Sequence, residues 1–371
     1  MDTFQKKAKK LLDLAGISIN GTRSFDIQVH NDQFFRRIFA EGSLGLGEAY
    51  MDGWWDCEAL DQLFYRIFTA EIDRRIKPIR EIGTILKACI LNLQKPSLAF
   101  RIGEHHYDIG DDLYEAMLDK RMMYSCAYWK NTRSLHKAQE NKLDIIFQKL
   151  GLKSGMEVLD IGCGWGGALA YAAEKFGVKG AGITVSANQA AKANAVCKDL
   201  PVEIKLQDYR DLDGQFDRIW SIGMIEHVGA KNYRTFMRVV RNCLKSDGLF
   251  LLHTIGGNRS VFKSDPWIEK YIFPNSMIPS LRQLALSWEG LFVAEDVHNF
   301  GADYTKTLLH WYRNVLRHRD QMTEKYGKRF FRMWRYYLLS CAGAFKARKL
   351  NVWQIVLSPN GVPGGYESVR W

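Results

Sequence analysis

Asp160 closes the apolar run that begins at Val158, and glycines follow it at positions 162, 164, 166 and 167. Glycine at every second position lets the backbone take positive φ and lets a ligand approach the main chain. A helical pattern starts at Ala168, so the stretch reads as strand, tight loop, helix. The spacing is not the Gly-x-Gly-x-x-Gly of a dinucleotide loop, and no Lys-Ser/Thr pair follows to make a phosphate loop. Other apolar runs lead into polar side chains that could bind a ligand or move a proton: Thr184, Ser186 and Gln189; Asp208 and Tyr209; Glu226 and His227; and His253. Carboxyl and imidazole groups exchange protons near neutral pH, and an amide can bridge two hydroxyls. Each also has an ordinary alternative: Glu226 and His227 could cap the next helix, and His253 could be a satisfied core histidine.

These side chains need a frame. Runs at 178–183, 202–206, 216–221 and 249–253 read as strands, and 187–198 and 233–244 as helices. Strands alternating with helices predict a parallel sheet covered on both faces, an α/β Rossmann-like domain. Ligands on such a sheet lie beyond the strand C-termini, where the polar residues fall. A helix at 134–150 leads in, preceded by the aromatic, small-residue stretch MYSCAYW at 123–129. Lys95-Pro96 marks a boundary, and the character changes near Gly103 with His105-His106-Tyr107-Asp108. The expected division is a smaller N-terminal domain, 1–100, and a catalytic domain, 103–371. An aromatic insertion at 258–290 reads either as a substrate lid or as a second small core.

At 371 residues and 47% hydrophobic, the chain has length for two domains and a substantial core. No apolar run reaches the roughly 18 residues of a membrane span, and the N-terminus lacks a signal-peptide pattern, so a cytoplasmic location is expected. The seven cysteines are scattered singly, which argues against zinc and against a disulfide framework. A net charge of +11 favours an anionic partner, nucleic acid or an acidic membrane surface. At 303–346, Arg313, Arg317, Arg319, Lys328, Arg329, Arg332 and Arg335 are interleaved with Trp311, Trp334 and other aromatics. That mixture suits a membrane interface.

In order along the chain stand YSCAYW, VLDIGCGWGG, GITVSANQ, LQDYRDL, FDRIWSIGMIEHVG, LLHTIG, DPWIEKYIFPN, HNFGADYTKTL and CAGAF. This series resembles the bacterial cyclopropane-fatty-acyl-phospholipid synthases, within the mycolic acid cyclopropane synthase family of class I S-adenosylmethionine (SAM) methyltransferases. The resemblance implies transfer of a methylene from SAM to a cis double bond in the acyl chain of a membrane phospholipid, with bound bicarbonate as general base. It also implies a homodimer, peripheral on the inner face of the cytoplasmic membrane, with no nucleic-acid partner. Tyr124 and Ser125 match residues near the methionine end of SAM, and Asp160, Gly162, Gly164 and Gly166 form the loop beneath it. The second strand ends in Thr184 and Ser186 where methyltransferases usually carry an acid for the ribose, and Gln189 matches the family's substitute. Asp208 and Tyr209 fall at the adenine. Cys126, Glu226, His253 and Tyr304 match the bicarbonate residues. Cys341 invites a thiolate role, but its small apolar neighbours favour packing.

Rival readings are a related enzyme that yields a methyl branch or an alcohol or methylates an amine, and an RNA or protein methyltransferase using the basic surface. The second lacks an Asn-Pro-Pro-Tyr type of motif and a recognisable RNA-binding module. The charge pattern predicts stronger binding to anionic than to neutral liposomes, at about 1 kcal/mol for each cation near the surface. In co-sedimentation, binding should fall as salt rises; equal retention on zwitterionic vesicles at every ionic strength would refute the prediction.

Overall fold

The computed structural model describes residues 3–76 and 110–370. Lys95-Pro96 and the His105–Asp108 stretch lie outside the described residues. In chain order the N-terminal elements are α1 (Thr3–Asp13), β1 (Gln28–Val29), α2 (Gln33–Glu41), α3 (Ser43–Met51), β2 (Trp55–Asp56), α4 (Leu60–Thr69) and α5 (Ile72–Arg75). Then come α6 (Asp111–Met117), α7 (Leu135–Lys149), β3 (Glu157–Ile161), α8 (Gly167–Phe176), β4 (Lys179–Thr184), α9 (Ala187–Cys197), β5 (Val202–Leu206) and β6 (Phe216–Ile222). The chain continues through α10 (Tyr233–Cys243), β7 (Leu244–Gly257), α11 (Pro266–Tyr271), α12 (Leu281–Trp288) and β8 (Val293–Asn299). It ends with α13 (Ala302–Arg317), α14 (Arg319–Tyr326), α15 (Lys328–Lys346) and β9 (Leu350–Ser358).

Two compact units result, and they do not follow the expected boundary. Phe262–Pro274 and Tyr304–Leu350, expected in the catalytic domain, group with the N-terminal helices. The other unit holds the seven-stranded sheet, in the order β5-β4-β3-β6-β7-β9-β8. Strands β3 to β7 pair in parallel, as their βα alternation requires. The pair β8–β9 is antiparallel and was not foreseen: charged residues interrupt one strand and Asn351 and Gln354 the other.

Alternate residues of each strand feed two cores. Val158, Trp220, Leu251 and Val356 meet α7 and α8 on one face. Leu159, Ile219, Phe250 and Ile355 meet α10 and α12 on the other. The order reverses at β3, flanked by β4 and β6, so a crevice is expected beyond its C-terminal end. Asp160 has the parity of Val158 and therefore belongs to the α7/α8 face.

In the N-terminal unit, the basic-aromatic stretch has an inward role. Trp311, Phe331, Trp334, Tyr336 and Tyr337 are buried. The Tyr336 ring lies 5.2 Å from Phe64, 5.5 Å from Tyr50 and 4.6 Å from Trp267. Arg332 donates to the carbonyls of Tyr50 (2.6 Å) and Trp55 (2.9 Å), and Arg335 to those of Cys57 (3.1 Å) and Glu58 (2.8 Å). These rings and two arginines build a core, whereas Arg313, Arg317, Arg319, Lys328 and Arg329 remain exposed. The insertion divides in the same way: Trp267 is buried in the N-terminal unit, and α12 packs Leu284 and Trp288 on the sheet.

Helix α15 crosses α4 at Gly343. A Cβ there would come within 2.7 Å of the Asp61 carbonyl oxygen and 2.8 Å of the Tyr65 amide nitrogen. Backbone cannot yield as a side chain can, so Gly343→Ala should destabilise the N-terminal unit by about 1–3 kcal/mol. Thermal unfolding should show a lowered transition; an unchanged Tm would mean the two helices can separate without loss.

Candidate functional site

The glycine loop after β3 turns tightly because its own amides are tied down. The N–H groups of Gly162 and Cys163 both donate to the Ile183 carbonyl, at 3.0 and 2.9 Å. Gly164 has φ +55°, and a Cβ placed on it would meet nothing within 4 Å, so this backbone faces open space. Asp160 is 2% exposed, and its Oδ1 has no hydrogen-bond partner. Burial pushes its carboxyl up to about 7, with the Trp220 indole and Lys142 pulling it part of the way back.

At the end of β4, the Thr184 hydroxyl donates to Gln189 Oε1 at 2.9 Å, and Ser186 caps α9 by accepting the Gln189 N–H at 3.3 Å. The amide is thereby held with its N–H donors turned from Thr184. Asp208 accepts from the Arg210 main chain at 2.9 Å and from its guanidinium at 3.0 and 3.1 Å, leaving less acceptor capacity than expected for a ligand. Tyr209 lies in the apolar core, its ring 5.3 Å from Phe236.

The 123–129 segment is fastened to α7. Gln139 Nε2 donates to the carbonyls of Met123 (3.2 Å) and Ser125 (2.9 Å), and Lys142 Nζ donates to Ser125 Oγ at 2.9 Å. Lys142 is fully buried, and desolvation lowers its ammonium to about 8 despite Asp119, Cys126 and Asp160 nearby. Neither Gln139 nor Lys142 was expected as a site residue. The available signal was a polar pair at i and i+3, Gln139 and Lys142, with Ala138, Leu143, Ile145 and Ile146 nearby on the same helix. Tyr124, half-buried, packs edge-on to Tyr114 at 5.4 Å.

Glu226 sits in a short helical turn after β6. Its Oε1 accepts the Ile255 N–H at 2.8 Å, so it is fastened to β7 and does not cap α10. Its Oε2 is buried without a partner, and burial raises the carboxyl to about 7. His253, on β7, is 2% exposed and lies 3.5 Å from Gln354 Nε2. Burial, with Lys142, Lys149 and His298 adding positive charge, lowers its pKa well below the usual range, so the ring is neutral.

The sheet unit therefore carries Cys126, Glu226 and His253. Tyr304 and Cys341 belong to the other unit. Tyr304 packs there on Trp311 (5.8 Å) and Phe345 (4.6 Å). Burial pushes the Cys341 thiol up to about 12, which disfavours a thiolate base. Among the described residues no group of metal-ligating side chains occurs, and no helix is long and apolar enough to cross a membrane.

These features fit a sulfonium amino-acid nucleoside. The open glycine backbone admits its body, the unpaired Asp160 oxygen suits a cationic end, and the Gln189 amide suits ribose hydroxyls.

A family model described as mycolic acid cyclopropane synthetase matches residues 94–355. Over 370 residues, 100% of this chain and 97% of the relative, the chain is 50% identical to the cyclopropane-fatty-acyl-phospholipid synthase of Escherichia coli (strain K12). Among solved structures, the cyclopropane synthase MmaA2 from Mycobacterium tuberculosis superposes with a TM-score of 0.66 at 28% identity, covering 72% of this chain and 99% of that one. The mycolic acid cyclopropane synthase CmaA1, complexed with SAH and CTAB, gives 0.65 at 31% identity over 70% and 97%.

The raised Asp160 carboxyl has a thermodynamic consequence. Its ordinary value is 3.8 and its folded value about 7, so the folded state binds more protons across that window. Stability of the ligand-free protein should then fall as pH rises from about 4 to 7, by on the order of 1 kcal/mol per unit from this group. Urea unfolding at several pH values should show a flatter dependence for Asp160→Asn. Parallel dependences would mean the carboxyl is already ionised.

Proposed function

This chain belongs to the mycolic acid cyclopropane synthetase family, and we propose that it converts cis double bonds of unsaturated membrane phospholipids into cyclopropanes, with bicarbonate as general base. It is a SAM-dependent cyclopropane-fatty-acyl-phospholipid synthase, with 50% identity across the whole chain to an enzyme of that name. SAM supplies a methyl group activated by the sulfonium, because a neutral thioether is a good leaving group. Asp160, the glycine loop at 162–166, Thr184, Ser186 and Gln189 would hold it, with Tyr124 and Ser125 at the methionine end and Asp208 and Tyr209 towards the adenine. Only the Asp208 carboxylate calls for adjustment, since Arg210 already engages it.

Methylating an alkene leaves a carbocation, and ring closure removes a proton from the new methyl. A carboxylate fixed beside that cation could trap it covalently; bicarbonate supplies a base that is not tethered to the protein. The observation that carries the proposal is the buried, unpaired Oε2 of Glu226, anchored through Oε1 to the strand of His253. When ionised, Glu226 accepts the hydrogen bond of the bicarbonate O–H and orients it. The Cys126 N–H and the neutral His253 ring are its proposed donors within the sheet unit. Cys341 has no step in this scheme.

The reading extends to the cell. The exposed cations of the N-terminal unit suit an anionic leaflet, and residues 1–100 are proposed to contact lipid on the cytoplasmic face as part of a homodimer.

Incubation with SAM and liposomes of unsaturated phospholipid, followed by fatty-acid analysis, should yield cyclopropane acids. Methyl-branched products alone would favour the related methyltransferases. Turnover should rise with pH through about 7, as Glu226 ionises. Glu226→Gln should retain SAM binding and lose about 100- to 10,000-fold in kcat. Activity should fall in buffer stripped of carbon dioxide and return on adding bicarbonate. Equal rates with and without bicarbonate, together with an active Glu226→Gln enzyme, would falsify the bicarbonate scheme.

A further inference from the structure

Lys142 is a full charge inside the protein without an ion pair among the described residues. Its hydrogen-bond partner is a neutral hydroxyl, Ser125 Oγ, at 2.9 Å. The neighbouring Asp119 carboxylate is engaged by the N–H groups of Arg121 (3.1 Å) and Met123 (2.9 Å) and by the His136 ring (3.2 Å). Asp160, also within electrostatic reach, keeps an unpaired oxygen. An ammonium used only to hold a loop would be a costly choice, since Gln139 one turn earlier already fastens the same segment by two hydrogen bonds. The arrangement makes sense if the charge meets a ligand anion.

A hydroxyl that accepts from an ammonium must turn its own O–H elsewhere, and it becomes a stronger donor. The methionine end of SAM carries three charges: a sulfonium, an α-ammonium and an α-carboxylate. Lys142 repels the first two and attracts the third, whereas the unpaired Asp160 oxygen attracts the ammonium. Two opposite charges at fixed positions therefore orient the zwitterion. Resting on the SAM reading above, we propose that Lys142 is a positioning residue for the α-carboxylate of the methyl donor. It acts through Ser125 and through its own charge, and so sets the direction in which the sulfonium methyl points.

The test is calorimetric titration of the full chain with SAM and with decarboxylated SAM. Wild-type protein should prefer SAM. Lys142→Met, of similar length without the charge, should weaken SAM binding about 10- to 100-fold and leave decarboxylated SAM unchanged or tighter. Ser125→Ala should also reduce the preference, and the double variant should lose less than the sum of the two. An equal loss for both ligands would assign Lys142 a merely structural part and overturn the proposal, as would a Ser125→Ala protein that keeps the full preference. Wild-type protein that binds both ligands equally overturns the carboxylate role alone. Protein that binds neither overturns the SAM reading from which it starts.

Discussion

Desolvation of ionisable groups at one end of the parallel sheet is the constraint on which the site depends. Asp160, Glu226, Lys142 and His253 are all buried, and burial is the largest influence on each. It drives carboxyls towards neutrality and the amine and imidazole in the same direction. Keeping such groups inside costs several kcal/mol per ion when they are charged. The offset comes from the two apolar layers around the sheet, where side chains such as Trp220, Phe147 and Phe250 are wholly buried.

Electrostatic preorganisation follows from that burial. With water excluded, the unpaired oxygens of Asp160 and Glu226 interact with a ligand far more strongly than they would at a surface. The two carboxyls differ in their anchors. Asp160 belongs to β3 itself, at the point where the strand order reverses. Glu226 follows β6 and is tied to β7 through Ile255. Positions set by neighbouring strands of one rigid sheet are better fixed than positions on loops.

The N-terminal unit shows the same chemistry put to a different use. Arginine and aromatic residues on α15 carry the composition of a membrane-facing helix, yet most of the rings are buried, and Arg332 and Arg335 bond main-chain carbonyls between Tyr50 and Glu58. Guanidinium donors suit carbonyls as well as phosphates. Composition therefore identifies what such a helix can bind without identifying which partner reaches it first.

The sequence by itself determined the local matters. Its βα alternation gave the parallel half of the sheet, and Asp160 with its glycines gave the tight loop, because both depend on short-range periodicity and backbone sterics. The end of the fourth predicted strand likewise marked the turn that carries Glu226, whereas His253, expected at a strand end, lies inside β7. Only the tertiary structure decided that 262–274 and 304–350 join the N-terminal helices, that β8 and β9 extend the sheet antiparallel, and that Gln139 and Lys142 support the 123–126 segment. Each of these depends on packing between residues far apart in the chain. Burial decided the protonation states too: the letters Glu and Lys name the titrating group, but its neighbours in space set where it titrates.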